Sequence, residues 1–148
     1  MRLSSDSKNT GPVLVSACLC GIPCRYDGES KPVEKYVHML RDGKCLPFCP
    51  EKLGGLTTPR EPAEITGFDG FAVLDGKAEV LLRDLPGDVT SFFLKGAYLS
   101  VSLANAVRPR IIYLKERSPS CGLRSGSSMP GVAAAALIRA GFRVEPAD

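Results

Sequence analysis

Short apolar runs alternate with amphipathic stretches along this chain, a pattern that predicts strands connected by crossover helices. Residues 13–17 form an apolar run of the kind a parallel strand shows when both its faces are covered. Pro32 then opens a helix in which Val33, Tyr36, Val37 and Leu40 recur at helical spacing until Gly43 ends it. Residues 45–48 are too few for anything but a buried strand. Asp88 is the expected N-cap of a long amphipathic helix running to about Val107, with Val89, Phe92, Phe93, Leu103, Ala104 and Val107 on its inner side. Residues 111–114, all apolar or aromatic, give a third strand. Residues 131–140 form a helix of small residues closed by Gly141, and residues 142–145 add a last strand. Between these units, residues 71–74 and 78–82 read as a small hairpin turned by Asp75-Gly76-Lys77, since Asp-Gly supplies the positive φ values of a tight turn.

Strand and helix alternate, so the expected fold is α/β. It is three-layered, Rossmann-like or flavodoxin-like, with a mainly parallel central sheet flanked by helices. A polar stretch at residues 1–12 reads as a flexible N-terminal arm, and residues 13–148 as a single α/β domain. No internal repeat interrupts the pattern.

Charge changes the picture little. With 19 basic and 16 acidic residues the net charge is +3, and basic residues are nowhere massed, so an extended nucleic-acid surface is not expected. A small anionic ligand or a nucleobase in a local pocket remains compatible with that balance. No apolar stretch approaches the roughly 20 residues that span a bilayer, and no apolar cleavable leader opens the chain, so a cytoplasmic protein without a membrane partner is expected. In that compartment the six cysteines point to metal binding or reactive thiols before disulfides.

Three of those cysteines fall at one kind of place. Cys18 follows the first apolar run, Cys49 the second and Cys121 the third, the last on a loop that Pro119 and Gly122 force out of the strand. Right-handed crossovers put such strand ends along one rim of a sheet, so the thiols should converge. Three thiolates without an obvious fourth protein ligand leave one position of a metal or cluster open, as catalytic sites do. Soft thiolates accept an iron-sulfur cluster, zinc or copper(I), and spacing does not choose among them. Gly54-Gly55 could let backbone N–H groups approach a ligand, but is too short for a phosphate loop. The single His38 sits on a helix one turn after Glu34 and carries no assigned chemistry.

Several segments in fixed order also resemble a known family. These are VSACL with Gly21 and CRYDG (Cys24, Arg25, Tyr26, Asp27, Gly28), then CPEKLGGLTTPREPAEI from Cys49 to Ile65, Asp88-Val89-Thr90, and KERSPSCG ending at Gly122. Together they are similar to the short domain family, formerly of unknown function, that includes the iron-sulfur thiouracil desulfurases. That resemblance implies a 4Fe-4S cluster held by three cysteines, matching Cys18, Cys49 and Cys121, with one open iron for the substrate sulfur. It implies Glu51 and Ser118 as catalytic residues, a small thiolated nucleobase as substrate, and a cluster-assembly machinery as partner. Cys20 stands where the family usually carries an aliphatic residue, which leaves Cys18, Cys20 and Cys24 as a competing ligand set. The stretch 123–129 is shorter than the family's usual loop, and Ala133 and Ala134 fall where Thr is common.

The chemistry asked of these residues is consistent. Removing sulfur from a 2-thiopyrimidine by hydrolysis needs an electrophile for the departing sulfur and a proton shuttle for water. Glu51 suits the shuttle if partial burial lifts its pKa from about 4.3 towards neutrality. Ser118 can orient or relay a proton. Cys24, Arg25, Asp27, Arg60 and Lys115 are candidates for the surrounding layer, and Arg117 for a carbonyl or anion contact. The rival readings are a zinc or thiol-based hydrolase using Cys121, and a non-enzymatic iron-sulfur carrier or redox module.

Overall fold

In the computed structural model the described residues are 11–115, 118–122 and 130–147. Along the chain run β1 (Val13–Ser16), a 3-10 turn (Ala17–Cys20), α1 (Glu34–Arg41), β2 (Cys45–Phe48), α2 (Pro50–Leu53), β3 (Ala63–Ile65), α3 (Gly70–Leu74), β4 (Val80–Leu82), α4 (Thr90–Val107), β5 (Ile111–Leu114), α5 (Val132–Arg139) and β6 (Val144–Pro146). Four strands form one sheet in the order β2-β1-β5-β6, every pair parallel, with Val13 beside both Cys45 and Ile111.

Alternation along each strand sorts the side chains onto two faces. Val13, Val15 and Ile111 pack on Tyr36, Met39 and Leu40 around α1. Leu14, Ile112 and Leu114 pack on Ala104 of α4 and on Ala134 and Leu137 of α5. The result is the expected three-layer α/β arrangement. Alanines 133–136 are all buried, so α5 lies close to the sheet and to α4.

One expected element is wrong. Residues 71–74 are not a strand: they belong to α3, whose first turn is capped by the Asp69 carboxylate accepting from Ala72 N–H at 3.1 Å. Asp75-Gly76 ends that helix, and β4 pairs antiparallel with β3 in a separate two-stranded sheet. A four-residue apolar run fits either state, and the Asp69 cap, three residues before Ala72, was the deciding signal. Smaller differences occur at element boundaries. β1 stops at Ser16 because the 3-10 turn takes Ala17, α2 begins at Pro50 with Cys49 as its N-cap, and α4 begins at Thr90, whose N–H donates to the Asp88 carboxylate at 2.9 Å. Of the expected arm, residues 1–10 lie outside the described set, while Pro12 already accepts from Arg110 N–H at 2.9 Å. Arg117 and the 123–129 stretch are likewise outside it. Among the described residues no helix is long and apolar enough to cross a membrane.

Candidate active site

β1, β2 and β5 run in the same direction, so their carboxyl ends share a rim. The chain leaves β1 toward β2 on one side and returns to β5 on the other, which makes this rim the place where an open α/β sheet forms its binding crevice. A cavity of about 120 Å³ lies there. It is lined by Cys18, Cys24, Cys49 and Cys121, by Glu51 and Ser118, and by Arg25, Arg60, Arg83 and Lys115.

Each thiol arrives by a different local device. After β1 the backbone tightens into the 3-10 turn that carries Cys18, closed by Gly21, whose φ of 91° lies in the left-handed region. After β2, Pro50 at the first turn of α2 makes Cys49 the N-cap. After β5, the Ser118 hydroxyl accepts from the N–H groups of Ser120 at 3.2 Å and Cys121 at 3.1 Å, which curls Pro119-Ser120-Cys121 into a turn. The carbonyls of Pro119 and Ser120 in turn accept from Val132, Ala133 and Ala134 at the start of α5. The Cys121 loop thus serves as the cap of the following helix.

α2 carries Glu51, and two glycines fix where it lies. A Cβ on Gly54 would come 2.0 Å from the Phe92 carbonyl oxygen, and one on Gly96 would come 2.1 Å from that of Pro50. Backbone therefore meets backbone between α2 and α4, so Gly54 serves helix packing, not the ligand approach expected of Gly54-Gly55. Glu51 held there pairs with the Arg60 guanidinium and accepts from Ser118 Oγ at 3.3 Å.

The four pocket thiols differ in how readily they ionise. Cys24 donates to Cys18 and, with Lys115 and Arg25 nearby, holds the Cys18 thiol below its ordinary value despite burial. The same Cys24 contact, helped by Lys52 and Arg60, brings Cys49 down to about 7. Cys24 itself is driven up, because its own proton makes those contacts. Burial pushes Cys121 up, partly offset by the Ser16 hydroxyl. Four cations against one carboxylate line the cavity among the described residues, a field suited to thiolates or another anion.

Of the expected site residues, Cys18, Cys49, Cys121, Glu51, Ser118, Cys24, Arg25, Arg60 and Lys115 all line this cavity, and Asp27 does not. Asp27 instead turns the loop by accepting from Glu29 N–H at 3.0 Å and lies 3.9 Å from Arg25. Cys20 and Cys45 are also absent from the lining and contact each other. Sequence reasoning missed Ser16, Tyr26 and Arg83. Ser16 was legible as the polar break in an apolar strand, and it accepts Lys115 N–H at 3.0 Å. Arg83 follows the segment misread as a hairpin, so nothing pointed it at the rim.

Among the described residues no three His, Cys, Asp or Glu side chains are grouped as a single metal ion requires. A cubane places each of three ligands on a different iron, so a wider spread of free thiols around a cavity is compatible with a cluster.

Comparison with known proteins matches these observations. The model of the 2-thiouracil desulfurase family matches residues 13–147. The protein YbbK of Bacillus subtilis is 42% identical over 141 residues, covering 89% of this chain and 93% of the relative. A solved structure of a 4Fe-4S-dependent thiouracil desulfidase, TudS, superposes with a TM-score of 0.76 at 38% identity, covering 93% of this chain and 91% of that one. This chain therefore belongs to the 2-thiouracil desulfurase family.

Proposed function

We propose that this protein removes sulfur hydrolytically from 2-thiouracil-like pyrimidines, using a 4Fe-4S cluster held by Cys18, Cys49 and Cys121 with one iron left open. The observation that carries this reading is the meeting of these thiols with the Ser118–Glu51 pair, 3.3 Å apart, on one cavity. When bound, the cluster supplies a soft Lewis-acid site for the thiocarbonyl sulfur. The overall change balances as thiocarbonyl plus water giving carbonyl plus hydrogen sulfide.

The chain's own groups handle the water and the protons. Glu51, paired with Arg60, takes a proton from the attacking water and returns it to the departing sulfur or a ring nitrogen. Ser118 accepts two backbone N–H bonds and gives its own proton to Glu51 Oε2, so it fixes the direction of that carboxylate. Lys115 and Arg25 stand near Cys18 and offset the negative charge that builds on the sulfur and oxygen as water adds to the ring carbon. Six free thiols fit a reducing cytoplasm, where a cluster-assembly machinery would load the site.

The rival thiol hydrolase draws little support. Its nucleophile, Cys121, is buried with its thiol pushed up, the reverse of an activated cysteine. A simple cluster carrier has no need of the Glu51–Ser118 pair. The test is anaerobic reconstitution followed by metal and sulfide analysis and assay with 2-thiouracil. About four iron and four sulfide per chain with sulfide release support the proposal. A colourless, active protein sinks it. Glu51→Gln should keep the cluster and lower turnover by about 10²- to 10⁴-fold, and loss of the cluster instead would make Glu51 structural.

A further inference from the structure

A flat ring can be gripped by its edge or by its faces. In the proposed reaction the edge of the pyrimidine is committed, its sulfur to the iron and its ring carbon to water, which leaves the faces to supply selective binding. Among the described residues two aromatic side chains line the cavity, Tyr26 and Phe48. Phe48 is 5% exposed and packs with Leu14 and Leu114 in the core, whereas Tyr26 is half-buried. Tyr26 is therefore the aromatic surface that a ligand in this cavity can reach.

The loop that carries Tyr26 is held on two sides. Arg25 N–H donates to Glu29 O at 3.1 Å and Gly28 N–H to Arg25 O at 2.8 Å, which closes the turn around it. Gly28, at a φ of 78°, is the left-handed residue of that turn, and a Cβ there would stand 3.9 Å from the ring of Pro59. The Tyr26 carbonyl accepts from Arg60 N–H, and the Arg60 guanidinium pairs with Glu51. One backbone hydrogen bond thus links Tyr26 to the residue that holds the proton-handling carboxylate. The Arg25 guanidinium carbon, 5.8 Å from the Tyr26 ring centroid, limits the swing of that ring.

We propose that Tyr26 is a specificity-determining residue whose ring stacks on a face of the pyrimidine and selects flat, aromatic thiocarbonyl rings over saturated ones. Aromatic side chains bind bases in this way because every base presents a π-face. Substrate and product rings are both flat, so stacking holds the ground state and the reacting state alike and acts on KM with little effect on kcat. This rests on the desulfuration reading above.

The test compares anaerobically loaded wild-type protein with Tyr26→Ala, Tyr26→Leu and Tyr26→Phe, assayed with 2-thiouracil and with 5,6-dihydro-2-thiouracil, which keeps the thiocarbonyl, carbonyl and N–H groups but has a puckered ring. The intrinsic reactivities of the two substrates differ, but that difference cancels between variants. Tyr26→Ala and Tyr26→Leu should keep their iron and sulfide, raise KM for 2-thiouracil about 10-fold at nearly unchanged kcat, and narrow the preference for the flat ring by a similar factor. Tyr26→Phe should retain both, and inhibition by uracil should weaken in parallel with KM. An unchanged preference in Tyr26→Ala overturns the proposal. So does a Tyr26→Leu variant that behaves as wild type, since bulk would then suffice, or a loss of cluster from all three variants, since Tyr26 would then support the site as a whole. Failure of the desulfuration reading looks different: the wild-type protein would itself hold no cluster or release no sulfide, and the role of Tyr26 would fall with it.

Discussion

Cys18 and Cys20 stand two residues apart in the same turn, at 7% and 6% exposure, and Cys49 and Cys45 flank the same short strand, yet the two sets end in opposite states. Cys18 and Cys49 are held below the ordinary thiol range. Cys20 is pushed up to about 12 and Cys45 is also raised, in both cases first by burial. Burial alone cannot separate Cys18 from Cys20. What differs is the company each keeps: Cys24, Lys115 and Arg25 around Cys18, against Cys45 for Cys20, with Cys45 Sγ turned to the Tyr36 carbonyl at 3.9 Å. Strand alternation and the tight turn direct one sulfur to the rim and its neighbour into the core, where it behaves as a small hydrophobe.

The largest expected effect breaks that contrast by deletion. Replacing Cys18, Cys49 or Cys121 with Ala should abolish both the iron-sulfur content and sulfide release, while Cys20→Ala and Cys45→Ala leave both intact. Iron and sulfide analysis of the variants after anaerobic reconstitution reads this directly. A cluster that survives Cys121→Ala and vanishes in Cys20→Ala would hand the site to the competing set of Cys18, Cys20 and Cys24.

A smaller effect probes the support under one set and spares the other. Gly54→Ala puts a methyl against the Phe92 carbonyl, so α2 must lift from α4, carrying Cys49 and Glu51 with it. Overpacking of this kind costs about 1–3 kcal/mol of stability, and misplacing a catalytic group by about an ångström can cost about 100-fold in rate. Thermal unfolding and turnover should therefore both fall. If turnover is untouched, the position of Glu51 is not held by this contact.

The contrast also marks what could be read from the chain. The parallel sheet was legible because 111–114 and 45–48 are apolar on both faces, and the rim cysteines followed from topology, since each comes directly after a strand. The strand at 80–82 fell within the expected 78–82, but the helix before it was not legible, because residues 71–74 are apolar at every position and carry no period. Arg83 was lost with it. The pairing of Glu51 with Arg60, nine residues on, depends on how the intervening loop returns to the rim. No local pattern encodes that return, so the Arg60 partner of Glu51 could not be read from the sequence. The mutual contact of Cys20 and Cys45 depends on the β1–β2 register, which pairs Val13 with Cys45 and which composition does not give.

The finest comparison is kinetic and concerns the cluster-free protein. A thiol reacts with iodoacetamide as its thiolate, so a thiol brought down to about 7 is half ionised near neutral pH, where one raised to about 12 is almost wholly protonated. Cys49, which is half-buried, should therefore be alkylated well ahead of Cys20 at pH 7.5, as peptide mapping would show. Because its pKa is lowered, the Cys49 rate should hold on a plateau above that value and fall about tenfold for each pH unit below it. The first cause of the lowering is the hydrogen bond from Cys24, so Cys24→Ala should shift the midpoint upward, while Cys45→Ala leaves it in place. Equal reaction of Cys49 and Cys20, or a midpoint indifferent to Cys24, would mean that the two sets of thiols differ in location and not in chemistry.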